Sequence, residues 1–210
     1  MATLADVLAA NAARAAAFRG APFFQLLTES ALQDEGKRRV LLACVQRFST
    51  NFQRLMFLRQ GLCIEPTFQE VFAKHFAEEV GHDALLASGS GVPPIRDTLF
   101  EAILAWFNYQ MIVQGNAERT VLMHLVLEEA GDYFHGVAAG RLKPYVASPY
   151  FDTHAELDAG HASLGAQLLE GESSRTYERL LQVLAEGWDM MGAAVERTRQ
   201  LMEASASPSA

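Results

Sequence analysis

The stretches His154-Ala-Glu156-Leu-Asp158-Ala-Gly160-His161 and His75-Phe-Ala-Glu78-Glu79-Val-Gly81-His82 share one form, His-x3-(Glu/Asp)-x-Gly-His, and each carries a leucine three residues further on, Leu164 and Leu85. Residues at i, i+4 and i+7 of a helix share a face, so each stretch projects two imidazoles and a carboxylate along one line. On facing helices of a bundle such lines converge in the interior, which is how carboxylate-bridged metal pairs are held. Glycines at 81 and 160 cost helix stability, roughly 1 kcal/mol each relative to alanine. A packing or site reason for them is therefore expected.

A third stretch completes the set: His124-Leu-Val-Leu-Glu128-Glu129-Ala-Gly131-Asp132-Tyr133-Phe134-His135. His124, Glu128 and His135 lie near one helical face with Asp132 beside them, and a carboxylate here could bridge metals held by the other two helices. Glu128 has the better phase; Glu129 stays open, because helix rotation is not readable from sequence. Taken singly, a helical histidine is more often a hydrogen-bonded core or surface residue than a ligand. Two stretches of identical spacing and a glutamate-rich third together favour a metal site. Imidazole with carboxylate suits iron, manganese or zinc. Asp83 and Glu156 are expected to face solvent or support bound imidazoles from outside. The aromatics Phe72, Phe76, Trp106, Phe107, Tyr109 and Phe134, with Trp188, Met190 and Met191, are expected in the core.

Around these stretches helical periodicity dominates. Alternating β-branched runs and Asn-Gly hairpin signals are nearly absent. Breaks fall at Arg19-Gly20-Ala21-Pro22, at 61–66, at 88–94, at Gln114-Gly115-Asn116, at 143–149 and at 171–174. The helical segments between them run over 3–19, 23–34, 37–60, 66–88, 97–114, 117–141, 149–170 and 174–203. Pro66 suits a helix start, as does Asp97 before Thr98 and Leu99. Short loops between long helices predict a compact all-α bundle of seven to eight helices. One domain is expected over 1–203, with a flexible tail over 204–210, rich in Ser and Ala.

A chain of 210 residues can bury a sizeable core. Its net charge of −8 and the lack of a Lys/Arg stripe disfavour nucleic acid as a partner. No apolar run approaches membrane-spanning length, and the Ala-rich start is interrupted by Asn11 and Arg14, unlike a signal peptide. With only Cys44 and Cys63, there is no disulfide framework, and a cytoplasmic location is expected.

The segment Ser148-Pro-Tyr-Phe-Asp-Thr-His154-Ala-Glu-Leu-Asp158-Ala-Gly-His161-Ala resembles the late His-x3-Asp-x2-His helix of the haem-oxygenase-like di-iron oxidases, the iron-containing redox enzymes. Their fold is similar to that of TenA-type thiaminases and the PQQ-synthesis oxidase. The resemblance extends from about Phe23 to Glu196 and rests on three helices. It implies metal ligation by His154, Asp158 and His161, by His82 as the early His, and by Glu128 or Glu129 as the middle Glu. The departure is the early Glu. Some members carry it seven residues before the early His, where this chain has His75, so His75, Glu79 or Glu78 would serve in its place. His124, Asp132 and His135 complete the candidates.

The resemblance thus implies an oxidoreductase: two Fe(II) ions, the second held more weakly, bind O2 and oxidise a small organic substrate with electrons from an external reductant. Manganese and zinc remain open, and a homodimer is compatible with such a bundle. The family carries out N-oxygenation, desaturation and C–C cleavage, so the resemblance selects no single reaction. A cofactor-free relative of the PQQ-synthesis-oxidase or TenA kind, using His and Glu as acid and base, is the second expectation. A non-catalytic metal-binding helical protein is the third. Haem oxygenase proper is disfavoured, since its proximal His lies near the N-terminus and no His precedes His75 here.

Overall fold

The computed structural model describes residues 1–147, 149–151 and 161–205, with backbone alone over 161–164. Among the described residues every regular element is helical. The order is α1 (Leu4–Arg19), α2 (Pro22–Leu26), α3 (Glu29–Gln33), α4 (Glu35–Leu62), α5 (Pro66–Glu79), α6 (His82–Ser90), α7 (Thr98–Val113) and α8 (Asn116–Thr120). A π-helix (Val121–Leu127), α9 (Glu128–Leu142), a 3₁₀ turn (Lys143–Tyr145), α10 (His161–Leu168) and α11 (Ser174–Ala204) follow. None of these helices is long and apolar enough to cross a membrane.

Helix starts follow local chemistry. Thr3 and Asp6 form a reciprocal capping box on α1. Asp34, Asp97 and Ser173 each accept a backbone N–H two or three residues into α4, α7 and α11. Pro66 opens α5, where its missing N–H costs nothing. The starts expected at Pro66 and Asp97 are where the chain has them.

Three expected helices are interrupted. The segment 23–34 divides at Leu27, which turns inward to full burial before Thr28 caps α3. The segment 66–88 divides at Val80-Gly81: Val80 is extended and Gly81 takes φ +93°, a left-handed conformation that glycine adopts without a Cβ clash. The segment 117–141 stays helical but passes through seven residues of π-helix, all buried. A π segment shifts the phase of the residues after it, and such bulges cluster at functional sites.

Helices α4 and α11 are the two long members of the bundle. Helix α11 packs against α1, α2, α4, α7 and the π-helix. At its centre Gly187 brings backbone against the π-helix: a Cβ there would meet Leu122 at 2.8 Å and Val126 at 3.2 Å. Helix α10 crosses the other side, touching the π-helix, α5, α8 and α9. Gly165 lets it sit directly on His124, whose Cγ would lie 3.1 Å from an added Cβ.

Candidate active site

The break in the 66–88 segment is held by one side chain of α4. Gln53 donates Nε2 to the Glu79 carbonyl at 2.8 Å, and its Oε1 accepts the Gly81 N–H at 3.0 Å. An amide thus replaces part of the helical hydrogen bonding lost at the kink. Because of the kink, His75 and His82 do not stand on one continuous helical line, which corrects the i, i+7 reading of this stretch. Instead Glu79, at the end of α5, folds against His82, at the start of α6. Its Oε2 lies 3.0 Å from His82 Nδ1. Glu79 is only 2% exposed, and among the described residues its Oε1 has no hydrogen-bond partner.

Behind this pair lies a second group. Arg59 of α4 is wholly buried, stacks over Phe72 at 4.2 Å, and forks between two imidazoles. Its Nη2 donates to His75 Nδ1 at 2.9 Å and its Nη1 to His124 Nε2 at 3.0 Å. Guanidinium can only donate. His75 therefore carries its proton on Nε2 and His124 on Nδ1. His75 Nε2 in turn stands 2.7 Å from Glu128 Oε1. Burial pushes the Arg59 guanidinium down to about 9, with the Glu128 charge acting in the opposite direction. It stays cationic at neutral pH.

Glu79, His82, Glu128 and His135 all line a cavity of about 120 Å³. Much of the remainder is apolar, with Phe18, Phe23, Phe48, Phe52, Phe100 and Met191 among its lining. His135 stands edge-on to Tyr150 at 5.7 Å. Cys44 also faces the cavity; burial pushes its thiol up to about 12, so it is not a thiolate.

The remaining sequence candidates sort as follows. Glu128 faces the cavity, whereas Glu129 turns to α1, accepting from Asn11 Nδ2 at 2.6 Å and pairing with Arg19 at 3.2 Å. Glu78 lies outside the cavity near Lys74, and Asp132 is exposed. His124 belongs to the Arg59 group. His154 and Asp158 lie outside the described residues, as does the His161 side chain; the His161 backbone opens α10, beside α5 and α9. Among the described residues no three His, Cys, Asp or Glu side chains group closely enough to hold an ion. Among the described residues Glu79 is a nearly dry carboxylate whose Oε1 has no hydrogen-bond donor.

Sequence reasoning missed Arg59 and Gln53. The signal for Arg59 was present: Leu41, Val45, Phe48, Phe52, Leu55 and Arg59 follow one another at alternating steps of four and three residues. A cation in that stripe must be buried with partners.

Comparison with known proteins places this architecture. The chain is 28% identical over 185 residues to an uncharacterized protein, RP592, of Rickettsia prowazekii (strain Madrid E), covering 88% of each. It is similar in structure to a TenA homolog from Pseudomonas syringae pv. tomato str. DC3000, with a TM-score of 0.73 and 14% identity over 92% of this chain and 91% of that one. It is also similar to a domain of unknown function with a haem oxygenase-like fold from Shewanella denitrificans, with a TM-score of 0.70 and 14% identity over 100% and 99% of the two chains. No family model matches the chain. Identity this low speaks for the fold and not for the chemistry grafted on it. The chain has the all-α haem-oxygenase-like fold.

Proposed function

We propose that this protein is an O2-dependent oxidoreductase in which Glu79, His82 and Glu128, with His154, Asp158 and His161, hold a pair of irons beside the apolar cavity. The observation that carries this reading is Glu79. A carboxylate withdrawn from water, with one oxygen on His82 and the other on no donor among the described residues, carries a desolvation cost that a cation would offset. The oxygen and nitrogen donors suit iron or manganese. Helix α10, whose backbone starts at His161, packs against the two helices that carry Glu79 and Glu128. Bound iron would supply O2 chemistry that no side chain here performs.

The chain's own residues have separate duties in this reading. His75, fixed by Arg59 with its proton on Nε2, acts as the outer partner that orients Glu128, as ligand carboxylates require. It is therefore not counted among the ligands. Arg59 brings a buried positive charge within electrostatic reach of Glu128. The phenylalanine walls exclude water from the reacting molecule. Oxygen uptake tests the reading: Fe(II)-loaded protein with a reductant should consume O2, and Glu79→Gln should lower the rate at least tenfold. Equal uptake by Glu79→Gln and His82→Ala would overturn it.

A second reading has its own support. The Glu79–His82 and His75–Glu128 pairs are carboxylate–imidazole couples of the kind that move protons in cofactor-free catalysis. It gains from the likeness to a TenA homolog, though the protonated Cys44 does not supply a nucleophile. It predicts turnover that chelators leave untouched.

A further inference from the structure

We propose that the outward face of α7 is an interface between two copies of this chain, packed antiparallel about a twofold axis that passes between Ala105 and Trp106. This goes beyond the chemistry of the cavity and does not depend on it.

Helix α7 is apolar on both sides. Phe100, Leu104, Phe107 and Met111 are buried against the bundle. The opposite arc faces solvent, yet it carries Leu99, Ala102, Ala105, Tyr109, Ile112 and Val113, with Trp106 half-buried among them. Leu99, Tyr109, Ile112 and Val113 are 59, 60, 55 and 50% exposed. Tyr109 therefore does not belong to the core of the single chain, which corrects its assignment there. The one charged side chain of the helix, Glu101, is taken by Arg47 of α4. A surface helix of a monomer ordinarily turns charged residues outward, and one that is apolar all round is covered all round.

The face fits a copy of itself. Its bulk sits at one end, in Tyr109, Ile112 and Val113, and its small residues, Ala102 and Ala105, sit nearer the other. In an antiparallel pair Tyr109 of one copy lies over Ala102 of the other, Trp106 over Ala105 and Leu99 over Ile112. Large side chains thus meet small ones around the axis, and every contact occurs twice. Charge points to the same occupant. The chain carries −8, and two copies of it meet without like-charge repulsion on a neutral face. An anionic membrane would call for Lys or Arg beside the apolar residues, and α7 has neither.

The area is of the right order. A half-exposed large side chain offers roughly 100 Å², so the arc presents on the order of 500 Å². Leu62 and Ile64, 43 and 85% exposed, extend it beyond Ile112. Arg119 links the two parts: it donates to the Met111 and Ile112 carbonyls and lies within electrostatic reach of Cys63 and Glu65, which flank Ile64. The face then approaches the roughly 800 Å² per partner of a stable dimer.

Sedimentation equilibrium of the full chain tests this. Wild type should dimerise with a Kd of about 10 µM or tighter. Tyr109→Lys and Ala102→Glu should each weaken the dimer at least tenfold with helicity unchanged, since both positions are exposed. Ile112→Lys serves should Tyr109→Lys impair folding. Mixed together, Tyr109→Lys and Ala102→Glu should pair again, because the new lysine of one copy then meets the new glutamate of the other. Leu8→Glu, on exposed α1 surface, should leave the equilibrium unchanged. A wild type still monomeric at about 100 µM, a dimer indifferent to the α7 variants, a mixture that stays monomeric, or a wild type that binds phosphatidylcholine vesicles instead of itself would overturn the proposal.

Discussion

Arg59 Nη2 donates to His75 Nδ1 at 2.9 Å, and that one hydrogen bond fixes which nitrogen of His75 faces Glu128. A buried cation bonded to two imidazoles is an expensive arrangement, since guanidinium must leave water without a carboxylate in direct contact. Its return is orientation: two histidine tautomers are set from one side chain.

Arg59→Met removes the buried charge but leaves two imidazole nitrogens without their donor. We expect a loss of about 1–3 kcal/mol of stability from those groups, reduced by the relief of desolvation. Nitrogen-detected NMR of histidine-labelled protein should show the Nε2–H tautomer of His75 in the wild type and a mixture in the variant. A single unchanged tautomer in Arg59→Met would show that Arg59 does not set it.

The kink after Glu79 depends on Gly81 and Gln53. Gly81→Ala forces a left-handed backbone on a residue with a Cβ and should cost about 1–2 kcal/mol. Gly61, near the end of α4 with open space around it, is the control: Gly61→Ala should be neutral or stabilising by up to about 1 kcal/mol. Gln53→Ala leaves the Glu79 carbonyl without its side-chain donor and should cost about 1–3 kcal/mol. Urea unfolding of the three variants checks the order.

Asp97 caps α7 and pairs with Arg197 of α11 at 2.6 Å. The Arg197 hydrogen bond holds its carboxyl down at about 2, below the ordinary 3.8. A depressed carboxyl pKa gives stability that is complete above the unfolded value and lost as pH falls towards the folded one. The advantage of wild type over Asp97→Asn should therefore be constant from pH 7 to about 5 and vanish between about pH 4 and 2. Thermal unfolding at stepped pH tests this; an advantage that grows on acidification would contradict it.

Cys44 should be inert. Its thiol is buried and pushed up to about 12, so native protein should not react with iodoacetamide there at pH 7.5, while unfolded protein should. Rapid native alkylation of Cys44 would contradict its protonated, buried state and reopen a thiolate nucleophile.

Much of the fold was legible because the helices are bounded by local chemistry: Pro66, Asp97 and the Gly-Pro breaks are read without tertiary information. The interruptions were not. The seven-residue spacing of His75 and His82 fits an unbroken helix, and only the left-handed Gly81, tied by Gln53 from another element, shows otherwise. The π-helix hid for a different reason: Val121–Leu127 is buried on every side, so no amphipathic phase reveals its winding. The same shift decides Glu128 against Glu129, with Asn11 and Arg19 of α1 claiming the latter. Arg59 was visible in the apolar stripe of α4 but draws attention only when a stripe is read for its exceptions.

The most direct test of the central claim is the metal content of purified protein after anaerobic Fe(II) loading, for the wild type, Glu79→Ala and His154→Ala. The di-iron account predicts about two irons per chain in the wild type, a transient visible absorption on mixing with O2, and a loss of at least half the iron in each variant. No bound iron in a folded wild-type protein, or equal iron in all three, would contradict it.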